Sequence, residues 1–220
     1  MGTDDDVDAM LEAAYAVDGP DANRTLYADW ADSYDETFIE PSGYVYHRRV
    51  AESLLAGFDP ESGPVLDVGC GTGVVGVALR DLGVTHVDGI DISAEMLDRA
   101  GEKQVDGAPV YRELIEADLT AEIDLDDDRY AGVVSAGTFT HGHLGPEALG
   151  EVIRVARPGA RFAIGINSAH FEELGFRTYL DDQVSASVIT AYELVDAPIY
   201  GDTGSADPDH VARVATFAVR

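Results

Sequence analysis

The sequence predicts an α/β fold: a doubly wound, mostly parallel sheet of seven strands, with an antiparallel strand pair at its C-terminal end and a helical lid ahead of it. Three observations predict it. From residue 64 to 166, short Val/Ile/Leu-rich runs alternate with helix-length segments, the pattern of strands joined by crossover helices. The first of those runs ends in glycines at alternate positions, Gly69, Gly71 and Gly73, with a helix beginning at once. After residue 184 the helical signals fade into two β-rich stretches.

The elements follow in order. Residues 1–20 are rich in Asp and read as an acidic tail or a frayed helix. Between residues 21 and 58, Tyr27, Trp30 and Tyr34 recur at i, i+3 and i+7 and so share one helical face. Pro41-Ser42-Gly43 interrupts, and 44–56 reads as a second helix. Val65-Leu66-Asp67-Val68 is a short buried-type strand, and 74–82 the helix after it. A second strand, 86–90, leads into a helix over 93–103 capped by Ser93, with Glu95 in its first turn. The third strand is expected over 110–115 and the fourth over 131–135, with a solvated loop at 124–128. A helix over 146–156 and a turn at Pro158-Gly159 precede the fifth strand, 161–166. Residues 187–200 and 211–219 are expected to form the antiparallel pair at the sheet edge. The organisation is thus a tail (1–20) and one domain (21–220), divided into lid (21–60), ligand-binding core (64–166) and a substrate-side helix with terminal strands (167–220).

Composition narrows the partners. A chain of 220 residues fits one large domain, and its 45% hydrophobic content supplies a core. Against 14 Lys and Arg stand 42 Asp and Glu, a formal charge of −28. So negative a surface repels phosphate backbones and anionic membranes, which points away from nucleic acid and lipid and toward a small-molecule substrate. The acid excess fits a salt-rich habitat or a biased base composition. A single cysteine, Cys70, leaves no internal disulfide and suggests a reducing cytoplasm. No apolar run reaches the roughly 20 residues of a membrane span, and the first residues are acidic where a secretory signal is basic. Oligomeric state is not legible.

The glycine loop and the acid after the next strand carry the chemistry. Glycines permit positive φ and let a ligand touch the backbone. Asp91 ends the second strand twenty residues after Gly71, where a carboxylate accepts two hydrogen bonds from a ribose diol. Together they describe a nucleoside-containing cofactor at the carboxyl ends of the first two strands. Gly71-Thr72-Gly73-Val74-Val75-Gly76 also satisfies the dinucleotide pattern, so that pattern alone does not separate the cofactors. Three points favour S-adenosylmethionine over NAD. Asp67, two residues before the first glycine, is placed to hold an ammonium directly or through water. The only lysine is Lys103, so no Tyr-x-x-x-Lys pair for carbonyl reduction exists. Some sixty helical, aromatic residues precede the loop as a lid.

These residues resemble the class I S-adenosylmethionine-dependent methyltransferases, which have a Rossmann-like fold. The family's acid followed by Gly-x-Gly-x-Gly is matched by Asp67, Gly69, Gly71 and Gly73, and its ribose acid by Asp91. Ala117-Asp118-Leu119 is similar to the site that contacts adenine, and Arg157-Pro158-Gly159 to the turn before the fifth strand. The segments around Tyr27–Asp35 and Ser135–His143 resemble small bacterial methyltransferases and the Williams–Beuren-region methyltransferase. The resemblance implies cofactor contacts from Asp67, Gly69, Cys70, Gly71, Gly73, Asp91, Ile92, Asp118, Leu119 and Ser135, and methyl transfer to a small acceptor.

Each candidate has a plainer reading. Ile92 is a candidate for packing on adenine, whereas Met96 reads as core. Cys70 is a small loop residue rather than a nucleophile, since no basic group flanks it. Asp126-Asp127-Asp128 is a solvated turn lacking calcium-loop spacing. His141 is the candidate general base and His143 a substrate contact; two histidines without a third ligand do not make a metal site. Tyr27, Trp30 and Tyr34 either pack as helix core or close over cofactor and substrate. Two rival functions stand: a catalytically silent S-adenosylmethionine-binding module or partner subunit, and an NAD-dependent oxidoreductase.

Overall fold

The computed structural model describes residues 4–17, 19–140, 144–201 and 211–220. Helices α1 (Asp4–Ala16), α2 (Pro20–Trp30) and α3 (Tyr46–Leu55) precede the sheet. Strands β1 (Val65–Val68), β2 (Val87–Asp91) and β3 (Glu113–Glu116) alternate with helices α4 (Val74–Asp81) and α5 (Ala94–Glu102). Then come β4 (Tyr130–Phe139), α6 (Leu149–Arg154), β5 (Ala156–Asn167), α7 (Ser168–Glu173) and α8 (Phe176–Ser185). Strands β6 (Glu193–Pro198) and β7 (Val211–Ala218) end the chain.

The seven strands form one sheet in the order β3-β2-β1-β4-β5-β7-β6. β1 pairs in parallel with β2 and β4, β2 with β3, and β4 with β5, whereas β7 runs antiparallel to both β5 and β6. The order reverses between β1 and β4, so the connections leave on opposite faces and a crevice opens at the carboxyl ends of β1 and β2.

Side-chain alternation along each strand splits the core in two. Val65, Val50, Leu54 and Leu79 pack on one face, beneath α3 and α4. Leu66, Val68, Phe162 and Phe217 pack on the other, with Phe176 and Leu180 of α8. Ser93 caps α5 as expected, its Oγ accepting from the Met96 amide at 3.2 Å. At the amino-terminal end of the sheet, buried Asp88 is held by Arg112 at 2.6 and 3.0 Å, by Arg129 at 3.0 Å and by the Tyr130 hydroxyl at 3.1 Å.

The structure departs from the expected elements in four places. Of the tail and the frayed helix, residues 4–16 take the helix, and Met10 and Leu11 pack against the core rather than fraying. The third strand starts at Glu113, because Val110 and Tyr111 turn inward beneath α4 and Arg112 reaches Asp88. The expected helix over 146–156 begins with a 3-10 turn, Pro146–Ala148. Pro158-Gly159 lies within β5 as a bulge, marked by a register shift and by Gly159 at φ 84°.

Candidate active site

The crevice is built on the glycine loop. Gly69, Gly71 and Gly73 have φ of 65°, 51° and 95°, a region that L side chains rarely adopt. Gly69 also meets a spatial demand. A Cβ on Gly69 would stand 2.0 Å from Thr138 Oγ1, so the glycine lets β4 close against the loop. A Cβ on Gly71 would meet nothing within 4 Å, which leaves that side of the loop open to the crevice.

Asp91 anchors the other wall. Its Oδ2 accepts from the Gly71 amide at 2.8 Å and its Oδ1 from the Ser93 amide at 3.0 Å. Each oxygen keeps one lone pair, enough for two further donors. Burial raises this carboxyl above the usual carboxylate range, and the amide bonds oppose the shift. Ile92, Met96 and Leu119 supply apolar wall around it, and Asp118 lies on the rim with its Oδ1 bonded to the Thr120 amide and hydroxyl at 2.8 and 2.7 Å.

The N-terminal helices cover the crevice as a lid. Pro20, Asn23, Tyr27 and Tyr34 line it opposite the loop. Arg24 Nε donates to the Ile92 carbonyl at 3.2 Å. Asp35, in the π-helical turn Asp35–Ile39, accepts from Thr72 Oγ1 at 2.6 Å and pairs with Lys103. The enclosed space is about 1040 Å³ including its open mouth. A second cavity of about 640 Å³ adjoins it, and Tyr27, Tyr34, Tyr44 and Gly137 line both.

Of the predicted residues, the structure gathers Gly69, Cys70, Gly71, Asp91, Ile92, Asp118, Leu119, Tyr27 and Tyr34 at this crevice. Trp30 lines the second cavity instead. Met96, expected in the core, reaches the crevice wall while remaining buried. Burial pushes the Cys70 thiol well above its ordinary value, which fits an inert loop residue. Three expected contacts lie back from the crevice. Gly73 is spent capping α4. Ser135 is fully buried and donates to the Val68 carbonyl at 2.8 Å, because its side chain points between β1 and β4. Asp67 sits beneath the loop, on the Val65 face of β1, where Tyr111 donates to its Oδ2 at 2.7 Å. Its burial pushes the carboxyl up to about 7, against the Tyr111 hydrogen bond that lowers it. His141 and His143 lie outside the described residues.

Sequence reasoning missed Thr72, Asp35, Thr138 and Tyr111. Thr72 carried a signal as the polar residue inside the glycine loop, and Asp35 and Thr138 fall within the two segments that carried the family resemblance, without a role of their own. Asp35, Thr138 and Tyr111 join through space across 37 to 70 residues. Among the described residues no group of three or more His, Cys, Asp or Glu is arranged to hold a metal, and no helix is long and apolar enough to cross a membrane.

Residues 65–159, which span the loop, Asp91 and Asp118, match the family described as a methyltransferase domain. The chain carries a class I S-adenosylmethionine-dependent methyltransferase domain. It is 30% identical over 159 residues to methyltransferase-like protein 27 of Homo sapiens, covering 70% of this chain and 61% of that protein. It is 36% identical over 145 residues to the demethylmenaquinone methyltransferase of Symbiobacterium thermophilum, covering 63% and 56%. The chain thus spans about three fifths of the length of these curated relatives. Among solved structures, the methyltransferase in a complex with the Haloferax volcanii Trm112 activator aligns at TM-score 0.60 and 21% identity, over 88% of this chain and 98% of that one. The [4+2]-cyclase SpnF aligns at 0.63 and 11%, over 93% and 97%. At these identities the likeness shows the fold, and SpnF shows that the fold alone does not name the reaction.

The crevice of this methyltransferase domain fits S-adenosylmethionine, the cofactor of the family. Asp91 keeps two acceptor lone pairs for a ribose, Gly71 leaves the loop open, and Ile92, Met96 and Leu119 offer apolar wall to a base.

Proposed function

We propose that the chain transfers a methyl group from S-adenosylmethionine to a small-molecule acceptor. The observation that carries this reading is the second cavity, which shares Tyr27, Tyr34, Tyr44 and Gly137 with the cofactor crevice and is walled by aromatic rings from the lid and the sheet. When bound, S-adenosylmethionine supplies an electrophilic methyl on a sulfonium, and transfer breaks the methyl–sulfur bond with its electron pair returning to sulfur. The chain's part is to orient and to exclude water. Asp91 holds the ribose, with Ile92 and Asp118 at the base. Asp67 lies under the loop as the acid for the ammonium, through an intervening water. Tyr27 and Tyr34, lining both cavities, set the acceptor against the crevice, and such alignment alone supplies several kcal/mol. Where the acceptor is a hydroxyl, His141, two residues beyond β4, is the proposed base.

The relatives' names do not choose the acceptor. One is a demethylmenaquinone methyltransferase and another a ribosomal protein L11 methyltransferase. The aromatic, uncharged lining of the cavity among the described residues favours a small molecule. Calorimetry with S-adenosylhomocysteine, followed by turnover of S-adenosylmethionine with pooled small metabolites and mass detection of one added methyl, tests the reading. Binding without product returns the silent-module reading. Binding of NADH with no binding of S-adenosylhomocysteine overturns the cofactor.

A further inference from the structure

The second cavity has two features beyond its aromatic walls. Among its described lining residues there is no Asp, Glu, Lys or Arg, although the chain carries a formal charge of −28. Two of its lining residues each carry a buried polar atom with no hydrogen-bond partner among the described residues: the Tyr46 hydroxyl and the Asn167 Nδ2. Tyr46 is 2% and Asn167 4% exposed.

The chemistry of both atoms is fixed. Asn167 caps α7, its Oδ1 accepting from the Ala169 amide at 3.0 Å and the His170 amide at 3.3 Å. Those two donors orient the amide, so the atom left over is an NH₂ that needs an acceptor. Burial raises the Tyr46 phenol well above its ordinary value, so it too is a donor. The two are neighbours on one face of β5. A Cβ on Gly165 would lie 1.9 Å from Tyr46 Oη, so the hydroxyl fills the side-chain position of residue 165. Asn167 is two residues on, with its side chain on the same face, about 7 Å along the strand. Orphaned buried donors are costly, and a site holding two in an apolar cavity is arranged for something that supplies acceptors.

We propose that the second cavity binds an uncharged, flat aromatic or enol-type molecule through its oxygen atoms, with Tyr46 and Asn167 as the donors that select it. The aromatic walls hold the ring. Trp30 stacks on Tyr34 with centroids 6.4 Å apart, and Tyr34 on Phe38 at 5.1 Å. The lack of Asp, Glu, Lys or Arg among the described lining residues disfavours carboxylates and amines, whose desolvation none of those residues offsets. This deepens the proposed function, since it rests on reading the cavity as the acceptor site.

The test is a binding comparison on the full chain, with and without S-adenosylhomocysteine, using 2-naphthol, naphthalene and 2-naphthoate. The wild type is expected to bind 2-naphthol at least about tenfold more tightly than naphthalene and to reject 2-naphthoate. Tyr46→Phe and Asn167→Asp should each remove most of that margin and leave naphthalene binding unchanged. Asn167→Asp keeps the oxygen that caps α7 and, at about pH 9 where the new carboxyl is ionised, replaces the donor with an acceptor. Tyr46→Phe deletes a hydroxyl with no partner, so its melting temperature should equal or exceed that of the wild type, which a structural hydroxyl would not allow. Equal affinity for naphthol and naphthalene, binding of neither, or a margin that either variant retains overturns the proposal. If S-adenosylhomocysteine fails to bind while the naphthol margin stands, the reading of the crevice falls and the selecting pair does not.

Discussion

Asp91 and Gly71 are joined at 2.8 Å, carboxylate to amide, across twenty residues of sequence. One oxygen pins the glycine loop and the other starts the turn into α5 through Ser93. The residue proposed to hold the ribose therefore also shapes the loop beside it. Asp91→Ala should lower affinity for S-adenosylhomocysteine by at least about tenfold, or 1.4 kcal/mol, by calorimetry. Asp91→Asn, which keeps one acceptor oxygen, should lose less. An unchanged dissociation constant in Asp91→Ala removes the ribose assignment.

Asp67 makes stability depend on pH. Its ordinary value is 3.8, and burial pushes it up to about 7 in the folded chain. Between those values the folded state holds a proton that the unfolded state has released, so raising pH favours unfolding. The wild type should lose stability relative to Asp67→Asn as pH rises from about 4 to about 7, by at most about 1.4 kcal/mol per pH unit, and the difference should then level off. Tyr111→Phe, which removes the hydrogen bond that favours the carboxylate, should carry the decline to higher pH. Urea titrations at pH 5 and pH 8 read it out, and an identical difference at both would sink the idea.

At the opposite end of the sheet, Asp88 serves stability and not the site. It is fully buried and gathers Arg112, Arg129 and the Tyr130 hydroxyl. Asp88→Ala leaves two guanidiniums facing each other, but the Arg112 side chain is 43% exposed and regains water. The expected loss is therefore at the low end for a broken buried pair, about 3 kcal/mol, with cofactor affinity unchanged. A drop in cofactor affinity without a drop in urea midpoint would contradict this division of roles.

What was legible in the sequence follows from what is local. The glycine loop and the Ser93 cap depend on residues within a few positions of one another, and Asp91 is read from its place at the end of the next strand; the structure puts each at that position. Asp67 was legible in kind but not in depth, since the Tyr111 that shields it is 44 residues away. Tyr111 in turn reads as strand because Val110, Tyr111, Leu114 and Ile115 are β-formers; its true place is set by Arg112 reaching Asp88. In residues 1–20, Met10, Leu11 and Ala14 have helical spacing that the surrounding acids obscure. The second cavity is the least legible part. Its lining comes from α1, α2, α3, β4, β5 and β7 together, and no single segment announces it.

The only lysine in the chain fastens the lid. Lys103 pairs with one oxygen of Asp35, and the other accepts from Thr72 Oγ1 at 2.6 Å, so a residue of the lid bridges the end of α5 and the glycine loop. Lys103 and Asp35 side chains are 31% and 29% exposed, still in contact with water, so the pair is worth about 1 kcal/mol rather than the larger value of a buried one. That energy holds the lid closed and is lost in the open state. Lys103→Met should therefore raise the dissociation rate of S-adenosylhomocysteine roughly fivefold while changing the association rate little. Asp35→Asn should do the same or more, since it also weakens the bond to Thr72. High salt should shrink the difference between wild type and Lys103→Met, because screening acts on a partly exposed pair. Stopped-flow displacement at low and high ionic strength measures both. Equal dissociation rates for wild type and Lys103→Met at low salt would mean that the lid is held by its aromatic packing alone.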